Sequence, residues 1–369
     1  MVTNLPPQAE AQYKKVVASR SKEEKLENLR IFLSMIPEHK GTEKLRAQVK
    51  RQISRLQEEI ITEKKKRSTR AVTFEKGDTS VLTAILSEDK KLLYEFLACM
   101  KLFDENLILE SLNELKPLST GFEDIVLSFI PLSPSMVGRQ KYSLIQTILL
   151  KSDLIIVLLS IENLYEEFNL VKEMLRKFGI YVASKKSVAI FKSLATGGVT
   201  VLNRSRFLSE EEVKSFMKEK GVESGIIQLS EYTSLYTLEG SVKGLQRKNF
   251  LIIVENHEGE LPADQLCIPK DSIVSLRTFL KNDVLKTVFK ASGLIRVYLK
   301  PPSAVSPSSR PLLVDEETTV QELALKIHKD LSENLKYARL WRGGFSSKPL
   351  RVGSSFKLMD GDVIELRTR

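Results

Sequence analysis

Leu154-Ile155-Ile156-Val157-Leu158-Leu159 is an unbroken apolar run, three of its residues β-branched. A run this short, with no polar alternation, reads as a strand buried on both faces, the kind found in parallel sheets. Two further runs match it: Ile125-Val126-Leu127-Ser128-Phe129-Ile130 and Phe250-Leu251-Ile252-Ile253-Val254. Helical spans at 143–151 and 163–178 separate the three, and strands alternating with helices predict an α/β fold with a parallel sheet. The interval 171–245 carries its own strand–helix pattern (Ser187 to Phe191, Val199 to Leu202, Glu210 to Lys220) and reads as a small α+β insertion.

Towards the N-terminus, Leu26, Leu29, Ile31, Leu33 and Ile36 give one helix its apolar stripe over 22–36. Leu45, Val49, Ile53, Leu56 and Ile60 do the same for a second over 42–66. Pro37-Glu38-His39-Lys40-Gly41 breaks the chain between them and Thr42 reads as an N-cap, so an antiparallel helical hairpin is expected. Towards the C-terminus, Ile295 to Leu299 alternates like a half-buried strand, Thr319 to Leu331 is an amphipathic helix, and Asp362 to Leu366 closes the unit. About 75 residues in that order suggest a ubiquitin-like roll. The expected boundaries are 1–68 for the hairpin, 69–170 and 246–292 for the sheet domain, 171–245 for the insertion and 293–369 for the roll.

The chain has 369 residues and two cysteines, Cys99 and Cys267, far apart and without a CxxC pattern, so neither structural zinc nor a disulfide scaffold is supported. Few cysteines, no apolar run long enough to span a bilayer, and a start rich in proline and acid lead to an expectation of cytoplasm. The net charge of +10 is unevenly placed. Residues 1–70 hold about 17 Lys/Arg against about 9 Asp/Glu, and residues 294–369 about 13 against about 9. One-signed excess at both ends is the electrostatic footprint of a phosphate-bearing partner.

Four ordered blocks of the last unit resemble a TGS domain: Leu294 to Pro301, Lys326-Ile327-His328-Lys329, Lys336-Tyr337-Ala338-Arg339 with Trp341, and Asp360-Gly361-Asp362-Val363-Ile364. Pro37 to Leu45 resembles the helical hairpin of archaeal Drg-like proteins, and Lys177-Phe178-Gly179-Ile180 with Gly197-Gly198-Val199 resembles the small domain such proteins insert. Together these identify the chain as similar to the Obg/Drg family of translation-associated GTPases. The resemblance implies a P-loop-GTPase-like parallel sheet with an inserted α+β domain, an N-terminal hairpin and a C-terminal ubiquitin-like TGS roll. The Lys/Glu-rich composition suits a thermophile.

The same resemblance says where GTP chemistry belongs. A Gly-rich loop with a lysine and a hydroxyl should cradle the phosphates and Mg²⁺, and it is expected within Val72 to Leu82. There Lys76, Gly77, Asp78, Thr79 and Ser80 form a degraded version, with Asp78 in place of a glycine and Thr79 in place of the lysine. Asp-x-Pro-Gly becomes Phe129-Ile130-Pro131-Leu132. The guanine-reading Asn-Lys-x-Asp becomes Asn256-His257-Glu258-Gly259. Three losses argue against GTP, and no catalytic residue or resident cofactor is expected; GTP and Mg²⁺ enter only if Lys76 or Ser80 serves a rearranged pocket. His39, His257 and His328 lie at no catalytic spacing.

The basic residues divide between two readings, a solvated helix face and an RNA-binding surface, and the one-signed excess favours RNA. The candidates are Lys40, Lys44, Lys50, Arg51, Arg55, Lys64, Lys65, Lys66 and Arg67 on the hairpin, and His328, Lys329, Tyr337, Arg339, Arg342 and Arg351 in the roll. A ribosome- or rRNA-associated scaffold follows, with no membrane partner and no DNA specificity. Two alternatives stand beside it: an active GTPase with a rearranged pocket, and a protein partner of a translation factor.

Overall fold

The computed structural model describes residues 12, 15–16, 19, 22–37, 42–43, 45–54, 56, 77, 79–133, 142–255, 259–302, 304–345 and 348–368. It divides into two compact units, Met1–Phe74 and Glu75–Arg369.

In the first unit, helix α1 (Lys22–Met35) and helix α2 (45–54) pack through Leu29, Phe32, Ile36 and Val49, with Leu33, Leu45 and Ile53 at the margin. Ile31, assigned to the apolar stripe by its spacing, is 39% exposed on the other face. Thr42 is buried, and its hydroxyl donates to Pro37 O. It closes the turn between the helices, and its carbonyl accepts from Arg46 N at 2.9 Å at the N-terminus of the second, where the sequence expects a cap. Arg46 Nη1 reaches back 2.6 Å to Ile36 O, satisfying a carbonyl at the end of α1 that has no intrahelical partner. Arg46 is thus a tie between helices and not part of a free basic ridge.

The second unit is built on strand β1 (Ser80–Leu86), whose Val81, Leu82, Ala84, Ile85 and Leu86 are at most 1% exposed. It lies between β3 (Ile125–Leu132) and β4 (Leu154–Ser160), parallel to both. Strand β9 (Gln246–Glu255) continues beside β4, then β10 (Ile273–Ser275), again parallel. The other edge is closed by the antiparallel β2 (Leu118–Phe122), so β3 sits at the change from parallel to antiparallel. The order is β10-β9-β4-β1-β3-β2, with the short β5 (Ile180–Val182) pairing the start of β9. Helices α3 (Lys90–Cys99), α4 (Glu105–Glu114), α5 (Tyr142–Lys151) and α6 (Leu164–Lys177) make the connections.

Because β5 belongs to the main sheet and α6 packs on β4 and β5, the chain leaves this sheet after Val182 and not at 171. The excursion holds β6 (Ala189–Ser193), β7 (Val199–Leu202), α7 (Glu210–Glu219), β8 (Gly225–Leu229) and α8 (Leu235–Val242). Its sheet, ordered β6-β8-β7, buries Val201, Ile227 and Leu229 against Val213, Phe216 and Leu238. The Ser209 capping box, with Glu212 closing back, starts α7 as the sequence implies. Gly240 lets α8 sit against β5, since a Cβ there would lie 2.5 Å from the Tyr181 ring.

After α9 (Leu276–Lys281) and α10 (Val284–Ser292), Gly293 takes φ 65° to end the helix and begin the last domain. Strands β11 (Leu294–Leu299), β12 (Leu312–Asp315), β13 (Leu335–Trp341), β14 (Leu350–Val352) and β15 (Asp362–Thr368) are ordered β12-β11-β15-β13-β14. Only the central β11–β15 pair is parallel. Ile295, Val297, Val320, Leu323, Leu340 and Ile364 fill the core beneath α11 (Val320–Ile327). The helix expected to run to Leu331 stops at His328, whose extended backbone separates it from α12 (Lys329–Glu333). His328 Nδ1 accepts from Asp330 N at 3.2 Å, so the ring caps the second helix.

Thr83, fully buried in β1, has a hydroxyl with no hydrogen-bond partner among the described residues. An unpaired buried hydroxyl costs about 1–3 kcal/mol. Thr83→Val is expected to stabilise the protein by about 1 kcal/mol, read as a higher urea midpoint at unchanged slope.

Candidate functional site

In open α/β sheets ligands bind beyond the carboxyl ends of the strands, where the strand order reverses. Here the chain passes from β3 across β1 to β4, so the crevice lies beyond Leu86, Leu132 and Ser160. The strand–turn–helix unit that faces it is β1, Ser87-Glu88-Asp89 and α3.

This corrects the expected phosphate loop. Ser80 opens β1 at the amino edge of the sheet, with its N–H and hydroxyl both donating to Gly77 O at 2.9 and 2.8 Å. Thr79 O accepts from Val126 N and extends the ladder to β3. Gly77, Thr79 and Ser80 therefore lead into the strand, one strand length from the crevice. The apolar run Val81–Leu86 explains why: it must be buried, which leaves only the residues after Leu86 for the turn. Lys76, Asp78 and Asn256 lie outside the described residues.

Three residues, Ser87 to Asp89, join β1 to α3, and none is glycine. Asp89 caps the helix, accepting from Lys91 N at 2.7 Å, while Ser87 Oγ accepts from Asp89 N at 3.3 Å. Two N–H groups of this turn, those of Asp89 and Lys91, are thus taken by the protein's own side chains. Ser133 Oγ donates to Glu88 O and closes the turn from the β3 side. From β4, Ser160 N donates to the Glu167 carboxylate at 2.9 Å. Burial pushes the Glu167 carboxyl above its ordinary value, and the negative charges of Glu88, Asp89 and Glu255 push it further, against the hydrogen bond from Ser160. Four carboxylates from three separate segments thus converge on this edge.

Lys90 and Lys91 open α3 beside these carboxylates, so the turn carries charge of both signs. The residues in place of Asp-x-Pro-Gly are structural. Phe129 is fully buried with its ring edge-on to Phe103 at 5.9 Å, Pro131 lies within β3 opposite Ile85, and Leu132 is 1% exposed.

The basic candidates separate into free and engaged groups. Lys50 and Arg51 are exposed on α2. In the last domain, Arg342 makes a two-pronged pair with Asp362 at 2.8 and 2.7 Å. Arg339 stands 3.6 Å from the carboxylate of Glu365, which is also held by Lys300 at 2.7 Å and Arg367 at 2.6 Å. Glu365 is 1% exposed. Burial raises its carboxyl, but the hydrogen bonds from Lys300 and Arg367 outweigh it and hold the group below its ordinary value. Trp341 is 7% exposed with Phe345 beside it at 5.2 Å, so it is core and not a stacking platform. Arg351 covers the Tyr337 ring at 4.2 Å. His328 and Lys329 are exposed beside α12, with Lys329 3.5 Å from Glu333. Lys40, Lys44, Arg55, Lys64, Lys65, Lys66 and Arg67 lie outside the described residues.

Sequence reasoning missed Arg296. Its guanidinium pairs with Asp360 at 2.7 Å and reaches Asp124 and Glu123 in the β2–β3 turn, while the Tyr298 hydroxyl donates to Asp124. Burial and that bond push the Tyr298 phenol up to about 12. The last domain is thereby bolted to the edge of the main sheet. The outward position of Arg296 in an alternating strand was the only signal for it.

Residues 295–368 match the TGS domain. Over 240 residues the chain is 25% identical to developmentally-regulated GTP-binding protein 1 of Xenopus laevis, covering 62% of this chain and 64% of that protein. A homolog of developmentally-regulated GTP-binding protein 2 in Dictyostelium discoideum is 24% identical over 373 residues, covering 93% of this chain and 98% of its own length. A GTP-binding protein of Methanocaldococcus jannaschii is 33% identical over 95 residues, 26% of this chain and 24% of that one. The matches thus span just under two thirds of the Xenopus relative and about a quarter of the archaeal one. This chain is a relative of GTP-binding proteins of the developmentally-regulated type, with a TGS domain at its C-terminal side.

Two outcomes follow. Phe129→Asp, which returns the metal-sensing aspartate, is expected to cost more than about 3 kcal/mol in urea unfolding and to create no Mg²⁺ site, because it buries an unpaired charge in the core. Glu365, with a lowered carboxyl, contributes stability that is complete at neutral pH and is lost as pH falls below the usual carboxylate range of about 4. Glu365→Gln is expected to be less stable at pH 7 and to show a shallower loss of stability on acidification, measured by thermal melts from pH 7 to 3.

Proposed function

We propose that this protein is a translation-related scaffold that associates with the ribosome or rRNA and neither binds nor hydrolyses GTP. The observation that supports the reading is the carboxyl edge of the sheet, where Glu88 and Asp89 occupy the turn after β1, Glu167 and Glu255 add negative charge, and Asp89 caps the helix that follows. A fold related to GTP-binding proteins, with that edge made acidic, keeps the framework and loses the ligand. Its sheet domain then serves as a rigid mount for the TGS domain, through Arg296 and its carboxylates.

RNA contact falls to the exposed bases, Lys50 and Arg51 on the hairpin and Lys329 and Arg351 on the TGS domain, with the tract Lys64-Lys65-Lys66-Arg67 adding charge. Arg342 is assigned to structure, since Asp362 already satisfies it, while the half-exposed Arg339 stays with the RNA-facing group. Without a nucleotide switch, release is governed by salt and by competing partners. The setting is cytoplasmic, and no resident cofactor is required; no helix among the described residues is long and apolar enough to cross a membrane.

The test is a titration with labelled GTP and GDP, with and without Mg²⁺, alongside ribosome co-sedimentation over a range of salt. No saturable nucleotide binding is expected up to millimolar concentration. Association with ribosomes should fall with salt, and Lys50→Gln with Arg51→Gln should flatten log K against log salt by about 0.7–0.9 for each phosphate no longer neutralised. Micromolar, Mg²⁺-dependent, guanine-selective binding, or ribosome association indifferent to salt, would overturn the reading.

A further inference from the structure

The opposite, amino edge of the main sheet carries a cleft of about 740 Å³. Small-molecule sites fall at roughly 300–1,000 Å³, so the space suits a ligand of that class. Asn249, Phe250 and Leu251 of β9 and Ala291 of α10 lie along it. Its walls are the turn around Ser184 to Lys186, one face of α10, and the loop of the TGS domain that carries Glu316.

Four lysines, Lys185, Lys186, Lys286 and Lys290, and three acids, Asp271, Asp283 and Glu316, line it. Most of these charges are already committed. Lys185 pairs with Glu316 at 2.7 Å and Lys186 with Asp271 at 3.0 Å. The Asp283 carboxylate caps α10, accepting from Lys286 N at 3.0 Å. Lys286 and Lys290 remain, and neither ammonium has a carboxylate partner or an accepting oxygen among the described residues. They stand one helical turn apart on the same face, a placement in which like charges repel unless an anion lies between them. Thr287 and Ser184 also line the space, with their hydroxyls already bonded, Thr287 to Asp283 O at 2.8 Å and Ser184 to Ser187 at 3.0 Å.

We propose that this cleft binds a small molecule bearing a diphosphate or triphosphate group, with Lys286 and Lys290 holding successive phosphates. The i, i+4 spacing puts the two side-chain stems about 5–6 Å apart. A condensed pair of phosphates brings more negative charge to the two ammonium groups than a single phosphate does. The remainder of the ligand lies along the other lining residues, with Asn282 available to its polar groups. Lys185 can swing from Glu316 to the ligand, which connects occupancy to the contact between the excursion and the TGS domain. The site is independent of the scaffold reading above and lies at the other end of the strands from the acidic crevice.

The experiment is calorimetric titration of the full chain with inorganic phosphate, pyrophosphate and tripolyphosphate at about 0.15 M salt. Pyrophosphate and tripolyphosphate are expected to bind saturably below millimolar concentration and at least tenfold more tightly than phosphate. Lys286→Gln with Lys290→Gln should weaken pyrophosphate binding at least tenfold, and Lys329→Gln, on the TGS domain, should leave it unchanged. Both lysines are exposed, so equal thermal melts are expected for the variant and the parent. Failure of the polyphosphates to bind, or equal weakening by Lys329→Gln, overturns the proposal. A short single-stranded RNA that binds through Lys286 and Lys290 where pyrophosphate does not would also overturn it and assign the cleft to the RNA surface.

Discussion

Strand β1 sits between two parallel neighbours and under helices, and its run from Val81 to Leu86 is almost wholly withdrawn from water. A strand buried on both faces has to find a hydrogen-bonding partner on each side, because unpaired backbone groups in such a place are costly. That requirement recruits β3 and β4 from segments far apart in the chain and fixes which ends of the strands face the crevice. It also fixes how much chain is left for the turn. Ser87 to Asp89 is what remains between a fully buried strand and a helix whose Leu93, Phe96 and Leu97 are themselves buried.

The two edges of this sheet are electrostatically unlike. At the carboxyl edge, burial and the charges of Glu88, Asp89 and Glu255 raise the cost of ionising Glu167. At the amino edge, lysines from α10 and from the turn after β5 line a cleft with only part of their charge matched. Related folds concentrate phosphate chemistry at the first of these edges; here the distribution of charge is the reverse. The TGS domain touches both regions of the sheet domain, through Arg296 at the β2–β3 turn and through Glu316 at the cleft.

The strands around Val126, Ile156 and Ile252 were legible in the sequence because burial on both faces leaves an apolar run that no surface element imitates. The TGS domain was legible through its alternation and ordered blocks. The phosphate loop was misplaced because remnants of a motif were weighed above periodicity: Val81-Leu82-Thr83-Ala84-Ile85-Leu86 is itself a strand signal, followed by an N-cap at Asp89. Ile31 and the helix through His328 were misread for a shared reason, since helical spacing alone does not say which side faces a partner or where a side chain will bond to the backbone instead. The acidic crevice was not legible at all, its members being far apart in sequence and joined only by the strand order. The same holds for Arg296, whose partners in the β2–β3 turn lie more than a hundred residues earlier.

In the TGS domain, β15 lies in the middle of the sheet, parallel to β11 and antiparallel to β13, although it is the last of the five strands to be synthesised. During translation β11 and β13 therefore emerge with an empty lane between them, and neither can complete its ladder until residue 368 has cleared the exit tunnel. The main sheet has a milder version of the same delay, since β4 must wait for β9 while the excursion, whose strands are close in sequence, can fold in the interval. The order of synthesis thus assigns the order of folding: hairpin, then excursion, then parallel sheet, then TGS domain. The last is the step at which a stalled or truncated chain would be exposed to quality control, with two unpaired strand edges displayed.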